Sequence, residues 1–318
     1  MTTPNLSNKK ISKPKVKGLH PRNIHREGYD FASLAISYPL LSQYVHENIH
    51  GSLAIDFAAP LAVKALNAAL LKHHYKIIDW TIPEGALCPP VPGRADYIHY
   101  IAELLDIAKP NGSLANKKST IKMLDIGIGA NGIYSLLAAA IYGWECVGSD
   151  INQQSLENVL AITTNNPQLK ERLIFRRQND KNNIFEGIIK PNEMFDVSVC
   201  NPPFHASLEE AMKSSQRKTD NLARNKGRQS HKAKSTLNFG GQEAELWCKG
   251  GEQLFLKKMI KESADFSSQC RWFTSLVSKA ENVKPALKLI RKLGANDVRE
   301  IEMVQGNKIT RVVAWTYL

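Results

Sequence analysis

Asn201, Pro202, Pro203 and Phe204 follow directly on the apolar stretch that ends at Cys200, and their types and order suit one kind of chemistry. Neither proline carries an N–H, so the segment offers carbonyl acceptors without the usual donors. Pro202 also biases Asn201 toward an extended backbone, which lets its amide oxygen and the Pro202 carbonyl converge on one amino group. Phe204 adds a flat face for stacking. An exocyclic base amine or a glutamine amide is a poor nucleophile because its lone pair is delocalised. Two acceptors drawing on its hydrogens favour the pyramidal, reactive form. A Pro-rich turn closing a strand is the competing reading, and the rest of the chain must decide between them.

Upstream, Leu124-Asp125-Ile126-Gly127-Ile128-Gly129-Ala130-Asn131-Gly132 reads as a strand entering a glycine turn and then a helix. Gly127, Gly129 and Gly132 fit the spacing of nucleotide-cofactor turns. Asp125 precedes the first glycine by two positions, and Asp150 closes the next apolar strand. Acids at those places suit S-adenosylmethionine, which has an ammonium and a ribose diol but no pyrophosphate for a carboxylate to repel. An NAD-type turn is the runner-up, and it gives the Asn-Pro-Pro-Phe segment nothing to do.

These residues need a scaffold, and hydropathy patterning supplies one. Strands are expected at 121–126, 145–149, 172–178, 195–200, 270–277, 297–304 and 309–317, with helices near 131–142, 152–164, 250–266 and 282–294. This is a doubly wound α/β pattern. Gln305-Gly306-Asn307-Lys308 is a hairpin-type link, so the last strand should run antiparallel in an otherwise parallel sheet. Before this core, helices are expected at 32–46, 58–74 and 95–107 and a short strand at 77–82. Arg94 falls near the start of the third of these helices, a poor place for a cation unless an anion meets it there. A cofactor carboxylate is one candidate; solvent or Asp96 is the other.

With 318 residues and 43% hydrophobic content, the chain can bury one large core. No stretch is apolar and long enough to span a membrane, and Met1–Leu6 lacks a signal-peptide core, so a cytoplasmic protein is expected. The five cysteines show no C-x-x-C pair or zinc spacing, so a metal is not expected. Cys200 reads as a small buried residue at a strand end.

The net charge of +12 is local. Residues 1–26 hold seven basic residues and no acid. A second cluster, Lys213, Arg217, Lys218, Arg224, Lys226, Arg228, Lys232 and Lys234, is opposed only by Asp220. The two surpluses together exceed the whole net charge, so the remainder is slightly acidic. A solvated tail accounts for the first cluster. The second begins within ten residues of Phe204, where it can hold a polyanion over the candidate site.

Five strings sharpen the reading: Gly18-Leu19-His20-Pro21-Arg22-Asn23, Tyr29-Asp30-Phe31, Pro92-Gly93-Arg94-Ala95-Asp96-Tyr97-Ile98-His99, the Asp125–Asn131 turn and Asn201–His205. In this order they resemble the bacterial 23S rRNA adenine-N6 methyltransferases, from about residue 18 to the C-terminus. The eukaryotic adenine-N6 RNA methyltransferases are similar but carry further C-terminal modules, so with Leu318 as last residue the bacterial form is expected. The resemblance implies a Rossmann-like class I methyltransferase: a seven-stranded, mostly parallel sheet with an antiparallel last strand and an N-terminal extension. It implies a basic tail at 1–26, an extension at 27–110 packing on the core, and a methyltransferase domain at 111–318 with a substrate loop at 207–240.

By the same resemblance, Arg94 takes the carboxylate of S-adenosylmethionine, Gly127, Gly129 and Asp125 surround its methionine end, and Asp150 takes the ribose. Asp180 is a candidate adenine contact, although a polar loop end accounts for it better. Asn201, bordering cofactor and target, and the Pro202 carbonyl hold adenine N6, Pro203 belongs to the same catalytic segment, and Phe204 stacks on the base. The product is S-adenosylhomocysteine, the partner 23S rRNA or a large-subunit assembly intermediate, and the protein a monomer. A guanine-N2 rRNA methyltransferase, a protein-glutamine methyltransferase and a non-catalytic RNA-binding assembly factor remain as alternatives.

Overall fold

The computed structural model describes residues 18–49, 51–106, 120–203, 205, 207, 248–305 and 308–318. Its core is a seven-stranded sheet. The strands are β3 (Lys122–Ile126), β4 (Glu145–Asp150), β5 (Leu173–Arg177), β6 (Phe195–Cys200), β7 (Cys270–Val277), β8 (Asp297–Gln305) and β9 (Lys308–Thr316). They lie in the order β5-β4-β3-β6-β7-β9-β8. The first five pair in parallel, and β9 slots antiparallel between β7 and β8. The short β8–β9 link accounts for that reversal, because a hairpin can only return the chain antiparallel.

The helices that alternate with these strands are α4 (Ile133–Tyr142), α5 (Gln153–Thr164), α6 (Pro167–Lys170), α7 (Gly251–Ser263) and α8 (Ala280–Lys292). Successive strand residues point to opposite faces. Met123, Trp272, Val312 and Ala314 therefore enter one buried cluster, and their neighbours Leu124, Phe273, Val313 and Trp315 enter another, which α7 and α8 cover.

The N-terminal segment covers the first face. It comprises α1 (Phe31–Ser37), a 3-10 turn (Pro39–Gln43), the hairpin β1 (Val45–Glu47) and β2 (Leu53–Ile55), α2 (Pro60–Tyr75) and α3 (Val91–Leu104). Its buried side chains share one cluster with α4 and the sheet. Tyr97 of α3 is fully buried, and its hydroxyl meets Thr274 Oγ1 of β7 at 2.7 Å.

Three expectations for this segment need correction. The helix expected over 32–46 stops at Ser37, because Pro39 cannot continue it, and the chain turns into β1. The strand expected at 77–82 does not form. Instead, the Asn166 side chain takes both the N–H and the C=O of Ile78, each at 2.7 Å, and Asp79 adopts a positive φ of 51°. The third helix starts earlier than Ala95, at Val91, with Pro92 in its first turn where no N–H is needed.

Candidate active site

A cleft of about 840 Å³ opens at the C-terminal ends of β3, β4, β5 and β6, the place where open α/β sheets bind ligands. Its floor is the turn after β3. Gly127 and Gly129 adopt φ of 69° and 64°, a conformation glycine reaches without strain. The Gly127 and Ile128 amides both donate to the Ser149 carbonyl at 2.9 Å. The Gly129 amide donates to Asp150 Oδ2 at 2.9 Å, while Asp150 Oδ1 accepts from the Asn152 amide at 2.8 Å. The turn is thus fixed to the end of β4, and Asp150 and Asn152 stand side by side in the wall of the cleft.

The N-terminal segment closes one side. Trp80 Nε1 donates to the Asn131 carbonyl at 3.0 Å, and Asn158 Nδ2 bridges the Thr81 and Ala130 carbonyls. These bonds hold Leu87, Pro89 and Arg94 against the glycine turn, and all three line the cleft. Arg94, in the first turn of α3, donates through Nη1 to the Tyr134 hydroxyl. Its Nε is buried without a partner among the described residues. Burial pushes the Tyr134 phenol up to about 12, against the opposing pull of Arg94, so Tyr134 holds the guanidinium as a neutral hydroxyl. A cation with an unused buried donor in a cleft calls for an anion there. Asp96 does not supply it. That carboxylate faces the other way, accepting from the His20 amide at 2.7 Å and Asn23 Nδ2 at 2.8 Å.

Opposite, β6 delivers Cys200, Asn201, Pro202 and Pro203 to the cleft. Asn201 Oδ1 is buried and has no hydrogen-bond partner among the described residues. An amide acceptor without a donor is costly, and a ligand N–H would satisfy it. Burial, then the charge of Asp125, raises the Cys200 thiol well above its ordinary value, so it is no nucleophile.

Asp125 and Asp180 do not line the cleft. Asp125 turns into α4, where its Oδ2 accepts from the amide and hydroxyl of Ser135 at 3.2 and 2.8 Å, satisfying an amide in the helix's first turn that has no intrahelical partner. Its Oδ1 has no partner among the described residues, and burial raises its carboxyl to about 7, helped by the charge of Asp150. Asp180 is exposed and caps a turn through the Asn182 amide at 2.8 Å. The wall beside it is formed by Gln178, Asn182, Asn183 and Ile184. Phe204 and the cluster Lys213, Arg217, Lys218, Arg224, Lys226, Arg228, Lys232 and Lys234 lie outside the described residues.

Sequence reasoning missed Gln178, Asn152 and Tyr134, which announce themselves by no motif. It also missed Lys181, Lys249, Lys257, Lys258 and Lys261, all in the cleft wall. The spacing of the last three was visible as Lys257-Lys258-Met259-Ile260-Lys261, one helical face.

The fold, the glycine turn, the acid that ends β4 and the strand-end Asn-Pro-Pro segment together define a class I methyltransferase. The chain belongs to the RNA methyltransferase family, whose family model matches residues 13–318. It is 63% identical over 306 residues to the "Ribosomal RNA large subunit methyltransferase F" of Saccharophagus degradans, covering 95% of each chain. It is 54% identical to the protein of the same name in Shewanella sp. (strain MR-7), with 97% of this chain and 84% of that one aligned. Among solved structures it resembles the hMettl16 catalytic domain in complex with MAT2A 3'UTR hairpin 1, at a TM-score of 0.78 and 27% identity over 95% of this chain and 96% of that one. It also resembles the N-terminal domain of human METTL16 in complex with SAH, at a TM-score of 0.74 and 25% identity over 95% and 100% of the two chains. The protein is an S-adenosylmethionine-dependent RNA methyltransferase.

Proposed function

We propose that the protein transfers a methyl group from S-adenosylmethionine to N6 of one adenine in 23S rRNA. The single observation that carries the choice of an amino target is the buried Oδ1 of Asn201 beside Pro202, which has no partner among the described residues. The name borne by the relatives supports large-subunit ribosomal RNA as the substrate. The resemblance of the five strings supports adenine N6.

The cleft fits the cofactor in charge and shape. Arg94 has a free donor for a carboxylate, the Gly127–Gly129 turn leaves room for close approach, and Asp150 with Asn152 offers polar groups for a diol. When bound, S-adenosylmethionine supplies a methyl already activated for transfer. What this chain contributes is placement. Asn201 Oδ1 and the Pro202 carbonyl accept the two N6 hydrogens, localise the lone pair on nitrogen and fix its direction. Holding the two reactants in line replaces a bimolecular encounter by an aligned one. The target adenine must leave its stack, at a cost of a few kcal/mol that is least in a loop or single strand. Stacking on Phe204 returns about 1–3 kcal/mol. The acting species is a cytoplasmic monomer, and its RNA is free 23S rRNA or a large-subunit intermediate.

The test is transfer of labelled methyl to rRNA from cells lacking the protein, followed by nucleoside analysis. N6-methyladenosine is expected with the wild type. Asn201→Ala should lower turnover by at least about 100-fold, as when a positioned polar group at a reacting centre is removed. Its affinity for S-adenosylhomocysteine should stay nearly intact. Label in N2-methylguanosine would overturn the choice of base.

A further inference from the structure

We infer that the exposed lysine face of α7, Lys257 and Lys261 with Lys249 just before the helix and Lys181 across from it, grips the phosphates that flank the target nucleotide. This inference rests on the reading of the substrate as RNA. It concerns a wall of the cleft distinct from the Asn201 corner and from the basic cluster at 213–234.

Charge balance makes the case. Six of the described residues that line the cleft are cationic, Arg94 and five lysines, and only Asp150 is acidic. Arg94 lies on the opposite wall and is accounted for by a carboxylate. The cofactor itself carries a sulfonium and an ammonium, so a bank of lysines around it is the wrong complement. The remaining partner in the reaction is a polyanion, and a concave basic wall raises its local concentration.

The helix is built to keep that face unneutralised. Its two acids are both engaged by backbone amides, and Glu262 acts electrostatically on Lys258 rather than pairing with Lys257 or Lys261. Glu252 is buried and accepts from the Ser278 and Lys279 amides at 2.6 and 3.0 Å and from Asn282 Nδ2 at 2.7 Å. Glu262 accepts the Ile184, Phe185 and Glu186 amides at 2.7–3.0 Å. These bonds pin one end of α7 to the start of α8 and the other to the turn after Lys181. Lys258 completes the clamp by donating to the Lys181 carbonyl at 2.9 Å. Lys181, Lys249, Lys257 and Lys261 are exposed and form no ion pair among the described residues. Positions 254, 257, 258 and 261 share a helical face, which places Leu254, 46% exposed, in the same stripe. That apolar spot suits a ribose or base edge between two phosphates.

The experiment compares the full-length wild type with Lys257→Gln/Lys261→Gln and Lys257→Arg/Lys261→Arg. RNA affinity is measured against salt, and S-adenosylhomocysteine affinity is measured in parallel. For the Gln variant we expect RNA binding weaker by about tenfold near 0.1 M salt, with the slope of log K against log salt shallower by about 1.4, roughly 0.7 for each single-strand phosphate that is no longer neutralised. S-adenosylhomocysteine affinity should hold, and the Arg variant should bind RNA like the wild type. An unchanged slope in the Gln variant, while the wild type binds and methylates RNA, overturns the inference alone. A parallel loss of S-adenosylhomocysteine affinity would reassign the lysines to the cofactor and also overturn it. A wild type that neither binds nor methylates RNA would bring down the substrate reading itself.

Discussion

Asn23 Nδ2 donates to Asp96 Oδ1 at 2.8 Å, joining residues 73 apart in sequence. The same Asn23 amide reaches the Pro92 carbonyl at 2.8 Å, and Asp96 also takes the His20 amide. The His20–Asn23 string and the Pro92–His99 string are therefore two halves of one joint, which fixes the first turn of α3 and with it Arg94. Asp96→Ala would strand buried donors at His20 and Asn23, at about 1–3 kcal/mol. We expect a lower melting temperature and faster tryptic cleavage at Arg22 and Arg26, with S-adenosylhomocysteine affinity reduced as Arg94 loses its mooring. Cleavage at the wild-type rate would show that the joint is not what holds the segment.

Arg94→Ala should weaken S-adenosylhomocysteine binding by about 10- to 100-fold, the worth of roughly 1.5–3 kcal/mol for a hydrogen bond to a charged group. Arg94→Lys should recover only part of this, because an ammonium lacks the planar fork. Titration calorimetry reads both. A change below about threefold in the alanine variant would remove the carboxylate role from this residue.

Gly148 of β4 lies beneath Ile128 of the glycine turn, and a Cβ there would stand 2.3 Å from Ile128 Cδ1. Gly148→Ala must push Ile128, which lines the cleft, out of place. Overpacking of this kind costs about 1–3 kcal/mol, and cofactor affinity should fall with it. Ile128→Val deletes the offending methyl, so the double variant should regain most of the loss. Simple additivity of the two losses would contradict the packing of Gly148 against Ile128.

Stability should respond to pH on two sides. Burial first, then the neighbouring histidines, holds His25 down to about 3, and burial then His20 and Arg22 hold His99 down to about 4, against an ordinary 6.5. The unfolded chain binds these protons more readily, so stability is full above pH 6.5 and drains as pH falls toward 3 to 4. Asp125 works the other way. Its folded-state value of about 7 against 3.8 means the folded protein binds the extra proton, and stability declines as pH rises between those limits. In melting curves of the ligand-free protein, His25→Gln/His99→Gln should delay acid unfolding, while Asp125→Asn should steepen the net rise of stability between pH 4 and 6.5, because it removes the contribution that opposes the two histidines there. Unaltered profiles would mean these groups titrate alike in both states.

Every strand of the large sheet was legible, because buried parallel strands must be short apolar runs and the glycine turn and hairpin punctuate them. The lining of the cleft was legible where it is encoded in adjacent residues. Asn201 and Pro202 are neighbours, and Asp150 closes its own strand. The small hairpin at 45–55 was not, since three-residue strands carry too little pattern to stand out from a helix that Pro39 alone interrupts.

What the sequence determined by itself was the class of fold, the glycine turn after β3 and the Asn-Pro-Pro segment at the end of β6, because each depends on local backbone chemistry at consecutive positions. Only the tertiary structure decided that Asp96 serves His20 and Asn23 instead of Arg94, that Asp125 turns into α4 away from the cleft, and that lysines 181, 249, 257 and 261 share one wall. Those outcomes depend on which partner lies nearest once the sheet has closed, and the direction of a buried polar side chain follows the donors that packing brings to it.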